Sequence, residues 1–535
     1  MDSNRIKKLA TGVRASLIAE VSARLDRVLA EGSAERLDTP NEVKGIDAAI
    51  RELGRERVVE ANAYTWFNRL CALRFMDANG YTPVGIVTPK GNGTQPEILA
   101  NAMEGIFDSA LGFDRLVRDK ITGLVSGSIP SANPMEAAYE VILTTVCKHY
   151  AAPMPYLFKD GADASKLLMP QGLLAENSLL RRIVEEMDEE SCESVEVLGW
   201  LYQFYIAEKK DEVFASKKRR GAAEIPAATQ LFTPNWIVRY MAENSLGRLW
   251  MLNNPGSPLK ESMDYYIEGE LPEDFLRVYS PEEITVLDPA CGSGHILVYA
   301  FDLLYSMYVE EGYLPEEIPA MILSKNLFGF EIDQRAAEIA KFALEMKARN
   351  KDAKFFERCI DANITVLNPI RFSEGELEEA GMLAEHTELL DAFAHLDEIG
   401  SLYVPGLSDD IFIDNAIANI QQQSGMYAEA TVSLMQQMKE LNERLSRKYS
   451  VVIANPPYMT SKFFSPELSS YLSKHYKIDK FDLCTCFIQR GIDFAEQGSF
   501  VSEITMQSWM FEGTYDKFRN YILCLLYTSP SPRDA

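Results

Sequence analysis

Asp288-Pro289-Ala290-Cys291-Gly292-Ser293-Gly294 and Asn455-Pro456-Pro457-Tyr458 decide how this chain reads. Each follows an apolar, β-branched run: Ile284-Thr285-Val286-Leu287 before the first and Val451-Val452-Ile453-Ala454 before the second. Such runs predict buried strands of one parallel sheet, so both turns leave the same sheet edge, where α/β folds collect their ligands. Gly292 and Gly294 free the first turn conformationally and let a ligand approach bare backbone. Ile296 to Tyr308 reads as the next helix, whose free N–H groups face the turn and suit a carboxylate.

Further along, Leu327-Phe328-Gly329-Phe330 predicts a second strand ending at Glu331, an acid placed for ribose hydroxyls. The spacing departs from a dinucleotide site. His295-Ile296-Leu297 stands where a third glycine belongs, and the acid follows the turn by nearly forty residues rather than about twenty. S-adenosylmethionine suits this pattern better than NAD, with Asp288 toward its ammonium side. Cys359-Ile360-Asp361-Ala362-Asn363 is read as the end of a third strand. Asp361 would then meet the cofactor's adenine amino group, although a solvated loop acid accounts for it equally well.

The Asn-Pro-Pro-Tyr turn suits a planar base with an exocyclic amine. An adenine N6 is a poor nucleophile because its lone pair is delocalised into the ring. The Asn455 side-chain carbonyl and the Pro456 backbone carbonyl accept its two hydrogens, bonds that strengthen as the nitrogen pyramidalises. Pro456 and Pro457 lock the backbone that holds them. Tyr458 offers a face to an extruded base, a contact worth about 1–3 kcal/mol in single-stranded systems, and a cation–π surface for a sulfonium. This chemistry needs no metal, and the five histidines lack metal-ligand spacing. Cys484 and Cys486 sit in an apolar run and read as buried thiols. His295 reads as a neutral packing residue.

The 535 residues, 47% hydrophobic, are enough for two or three cores. We expect a mainly helical domain over 1–225, the cofactor half of the sheet over 226–370, an acidic helical insertion over 371–448 and the catalytic half over 449–523. Residues 524–535 read as an artefactual or disordered tail. The insertion ends in an amphipathic helix, Leu434 to Lys448, that packs on the sheet or meets a partner. No signal peptide or long apolar span appears, which predicts a cytoplasmic protein without a membrane partner. The net charge of -26 is the main objection to a nucleic-acid ligand and predicts weak, salt-sensitive binding. Lys217-Lys218-Arg219-Arg220 is a local basic exception, read equally as a phosphate contact or a solvated helix end.

At these residues the chain resembles the N6-adenine DNA methyltransferases whose cofactor motif precedes the catalytic one. Ala63-Tyr64-Thr65-Trp66-Phe67-Asn68-Arg69-Leu70, Glu208 to Phe214 and Ile225 to Pro234 resemble, more narrowly, the PglX-type enzymes of BREX phage-defence systems. The resemblance implies a Rossmann-like class I methyltransferase core, α/β in class, with S-adenosylmethionine as cofactor. Thr233, Pro234, Asp288, Ala290, Gly292, Gly294, Glu331 and Asp361 would hold that cofactor. Asn455, Pro456, Pro457 and Tyr458 would be catalytic, on double-stranded DNA with a flipped adenine, alongside other defence proteins. Relatives carry a long C-terminal target-recognition region, so the resemblance implies a C-terminally truncated methyltransferase core. Rival readings are a fused restriction–modification enzyme using Glu208-Lys209-Lys210, a glutamine methyltransferase acting on protein, and a non-catalytic DNA-binding or scaffold component.

Overall fold

The structure is a computed structural model that describes residues 3–91, 93–159, 165–216, 218–230, 233–269, 274–380, 386–421 and 427–526. It divides into two compact units, Met1–Tyr205 with Ala348–Asp361, and Ile206–Lys347 with Ala362–Ala535.

The first unit is helical. Helix Ser3–Leu29 buries Ile6, Leu9, Val13, Leu17, Val21, Leu25 and Val28, a stripe at three- and four-residue steps. It packs against Arg55–Ala78 and Glu196–Tyr205. Helix Arg55–Ala78 is buried around most of its surface, so its polar groups need partners. Trp66 Nε1 donates to Ser165 O at 2.9 Å, Arg69 Nε to Leu157 O at 3.0 Å and Arg74 Nε to Met187 O at 2.8 Å. The expected boundary at 225 moves back to 206. Helix Ala207–Ser216 joins the second unit because Val213 packs on Ala227 and Ala228, and Lys210 Nζ donates to Gln230 O at 2.8 Å.

The second unit is built on five strands: β1 (Val286–Asp288), β2 (Leu327–Glu331), β3 (Asn363–Val366), β4 (Tyr449–Ala454) and β5 (Ala495–Glu503). Their order is β3-β2-β1-β4-β5 and every neighbouring pair is parallel. The α/β class follows from this sheet with helices between its strands. Alternation along β2 separates the two faces. Gly329 meets Leu297 of helix His295–Glu310, while Phe328 and Phe330 face the opposite layer.

That opposite layer is the insertion. Leu389, Phe393, Leu396, Ile399, Leu402, Met435 and Met438 share one buried core with Phe330, Leu367, Tyr449 and Val452. The acidic segment is therefore charged outside and apolar toward the sheet, and packing on the sheet is the outcome for helix Ala428–Ser446. The last helix, Asp516–Leu526, extends past Cys524; the rest of the expected tail, 527–535, lies outside the described residues. No helix among the described residues is long and apolar enough to cross a membrane.

Candidate active site

β1 and β4 are neighbours, with Val286 opposite Val451 and Leu287 opposite Val452. The glycine turn and the Asn-Pro-Pro-Tyr turn therefore leave adjacent strands, about 4.8 Å apart, at the carboxyl edge of the sheet. Between them opens a cleft at the sheet edge. Its walls are Ala290 and Gly292 from the first turn, Glu331 and Ile332 from β2, and Asn455, Pro457, Leu483 and Phe487 from the catalytic side.

The first turn has the backbone it needs. Gly292 (φ +53) and Gly294 (φ +83) are left-handed, and Gly294 precedes the first residue of helix His295–Glu310. A Cβ on Gly294 would stand 2.9 Å from Ala340 Cβ, so that glycine also permits close helix packing. His295 is half-buried, and desolvation pushes its imidazole down to about 3, which keeps it neutral.

Three strands end in a carboxylate: Asp288 on β1, Glu331 on β2 and Glu503 on β5. Glu331 accepts Gly292 N–H at 2.8 Å, and Ile332 and Asp333 N–H at 2.9 Å each. Burial still raises it to about 7 against those donors. Burial and the nearby Glu331 raise Asp288 to about 8. Glu503 is raised to about 8 by burial and by Asp288, and neither of its carboxyl oxygens has a hydrogen-bond partner among the described residues.

On the catalytic side, Asn455 Nδ2 donates to Thr233 Oγ1 at 2.9 Å. The single Tyr458 hydroxyl hydrogen is shared between Ile504 O at 2.7 Å and Asn455 Oδ1 at 2.9 Å. Oδ1 thus keeps capacity for a further donor. Burial raises the Tyr458 phenol, so it stays protonated.

Of the expected residues, Ala290, Gly292, Glu331, Asn455 and Pro457 line the cleft; Asp288, Gly294 and Tyr458 belong to the same two turns, and Thr233 is reached through Asn455. Pro456 is buried between Asn455 and Pro457, and Pro234 directly precedes helix Asn235–Ala242. Asp361 is a correction. β3 begins at Asn363, so Asp361 lies before its amino end, whereas the cleft opens at the carboxyl edge and takes Leu367 from that strand. Glu208-Lys209-Lys210 lies within a helix and not at a strand end, and its Lys210 is bound to Gln230, which removes the basis for a nuclease there.

Sequence reasoning missed several contributors. Gln230 lines the cleft with its Oε1 buried and without a hydrogen-bond partner among the described residues. Ile399, Ser401 and Leu402 of the insertion also line it, and Ser401 Oγ donates to Pro289 O at 2.6 Å. The apolar spacing Leu389, Phe393, Leu396, Ile399, Leu402 was the available signal for a buried helical layer.

The sheet and the two turns at its carboxyl edge define an α/β methyltransferase fold. Residues 325–526 match the family described as Eco57I restriction-modification methylase. The chain is 36% identical over 517 residues to the adenine-specific methyltransferase BrxX of Escherichia coli O9:H4 (strain HS), covering 88% of this chain and 42% of that protein. It is 31% identical over 586 residues to the adenine-specific methyltransferase PglX of Lacticaseibacillus casei (strain Zhang), covering 97% and 48% respectively. A DrdV–DNA complex solved by cryo-electron microscopy aligns with a TM-score of 0.42 at 12% identity, over 98% of this chain and 38% of that one. The chain is a homologue of the PglX-type adenine methyltransferases and spans less than half the length of these curated relatives.

Proposed function

We propose that this site transfers a methyl group from S-adenosylmethionine to N6 of adenine in double-stranded DNA. The observation that carries the reading is the departure of the glycine turn and the Asn455–Tyr458 turn from adjacent parallel strands. The cleft fits a cationic nucleoside. Carboxylates tip the strands, a bare glycine turn opens the floor, and the Gln230 Oε1 seeks a donor. Glu331 would accept the ribose hydroxyls, the Gly292–Gly294 turn would face the methionine carboxylate, and Asp288 the ammonium side. When bound, S-adenosylmethionine supplies an electrophilic methyl group.

The chain's own residues prepare the acceptor. Asn455 Oδ1 takes one amine hydrogen and the Pro456 carbonyl takes the other, favouring a pyramidal nitrogen. Tyr458 would stack on the extruded base, and Pro457 lines the cleft beside it. Kinship with BrxX and PglX supports a site-specific enzyme that marks host DNA as self in a cytoplasmic phage-defence system, beside other defence proteins.

Calorimetric titration with S-adenosylmethionine tests the site directly. Binding should be lost in Glu331→Ala and kept in Asn455→Ala, which should instead lose N6-methyladenine formation on duplex DNA. A folded wild-type chain that binds no cofactor would sink the reading.

A further inference from the structure

Three stretches of chain converge beside the catalytic turn. Ser461–Phe463 forms a short 3₁₀ turn that follows Tyr458 by three residues. On one flank its Ser461 N–H donates to Phe481 O at 2.9 Å, next to the bridge between Thr460 and Asp482. On the other flank Arg220 N–H donates to Phe463 O at 2.8 Å, and Arg220 bridges Phe464.

Arg220 is the clamp. It is 5% exposed, and its guanidinium lies between two rings, 4.8 Å from the Phe214 centroid and 4.5 Å from that of Phe463. This side chain is held inside and is neither a solvated helix end nor a phosphate contact. Its neighbours differ. Lys218, Arg219 and Lys462 are exposed and Lys480 is half-buried. None of the four has an acidic partner at ion-pair distance among the described residues.

In a chain with 79 acidic and 53 basic residues, these segments gather four cations that suit an anion. Some lysines elsewhere are neutralised, as Lys439 is by Asp414 and Lys347 by Asp302. The turn carrying Lys462 is also the continuation of the strand-and-turn that presents Asn455 and Tyr458.

We propose that Lys218, Arg219, Lys462 and Lys480 form a phosphate-binding lip that grips the DNA backbone beside the target adenine, with the buried Arg220 as its positioning residue. This rests on the adenine-transfer reading above. It places the main cationic contact of this unit at the rim of the catalytic turn, which explains how an acidic protein engages a polyanion.

The test is the salt dependence of binding to a fluorescent duplex DNA, with cofactor binding measured on the same samples. Each phosphate contact contributes about -0.9 to the slope of log affinity against log salt concentration. K218Q/R219Q/K462Q should flatten the slope by about 3 and keep cofactor binding. K439Q, whose lysine is already paired, should leave the slope unchanged. Arg220→Leu should weaken DNA binding through displacement of the turn, with Arg220→Lys partly restoring it. A triple variant with wild-type slope and affinity overturns the lip, as does a wild-type chain that binds cofactor but no duplex. Loss of cofactor binding by the wild type would instead overturn the adenine-transfer reading itself.

Discussion

Asn455 and Thr233, 222 positions apart in the chain, are joined by a 2.9 Å hydrogen bond in which the amide nitrogen donates to the hydroxyl. This bond decides which end of the amide faces Tyr458. If the amide turned over, Nδ2 could donate to the Tyr458 hydroxyl, whose hydrogen would then serve Ile504 alone. That arrangement satisfies the phenol better but removes the carbonyl needed by a substrate amine. Thr233 holds the amide against that alternative.

Thr233→Val should therefore lower kcat for DNA adenine methylation by roughly 10- to 100-fold, the range expected from a misdirected reacting group. Affinity for S-adenosylmethionine should change less than kcat. Thr233→Ser, which keeps the hydroxyl, should restore most of the rate. A valine variant with wild-type kcat would remove the orienting role.

Cofactor binding should depend on pH through the strand-tip acids. Glu331 accepts ribose hydroxyls more strongly when ionised, and it sits at about 7. Affinity should rise between pH 6 and pH 8 and the rise should flatten in Glu331→Gln. A cationic ligand also pulls Asp288 down from about 8, so roughly one proton should be released per cofactor near pH 7. Calorimetry in two buffers of different ionisation enthalpy reads that proton, and identical heats would contradict it.

Glu503 should work against stability at alkaline pH. Its folded value of about 8 lies above its ordinary 4.5. Its contribution is thus fully present below about 4.5 and is lost as pH rises through about 8. Glu503→Met should stabilise the fold at pH 8.5 by about 1–3 kcal/mol, the usual cost of an unsatisfied buried group. The gain should shrink toward pH 5. Thermal unfolding of both proteins at the two pH values measures it, and a destabilised methionine variant would show that the carboxylate has a partner in solution.

Gly294→Ala should cost more than Gly292→Ala. Both force a left-handed alanine, worth about 1–2 kcal/mol, but only Gly294 lies against Ala340, at 2.9 Å. The double variant G294A/A340G should recover only part of the steric share, because Ala340 Cα would still lie 3.1 Å from the new Cβ, and none of the backbone share, as read from denaturant midpoints.

Asp361→Asn should leave cofactor affinity within about twofold of wild type, as a surface change away from the site would. Asp361 was legible as an acid and illegible as to place. Cys359-Ile360 reads as apolar, whereas the strand itself, Asn363-Ile364-Thr365-Val366, buries only Ile364 and carries a weak pattern. β1, β2 and β4 were legible because their runs are continuous and apolar, as a doubly covered parallel strand requires. Their turns named most of the cleft. The wall supplied by Ile399, Ser401 and Leu402 was hidden because acidic neighbours masked its spacing, and a side-chain bond such as Asn455 to Thr233 has no local signature at all. Nothing in the sequence marks Glu503 as facing Gly491 and the core rather than solvent.

The union of β1 with β4 also bears on how the molecule comes to exist. Thr285 and Ser450 meet across 165 residues. Closing so long a loop is entropically slow to reward, and parallel pairings of this kind delay folding. The insertion must collapse onto the sheet within that same interval, since its Ser401 anchors to Pro289. Every wall of the cleft therefore waits for contacts distant in the chain, and a nascent or partly refolded molecule has nowhere to put a nucleoside. A fluorescent cofactor analogue added during refolding would light up last, after helical signal has returned, making ligand capture a clock for the final step of assembly.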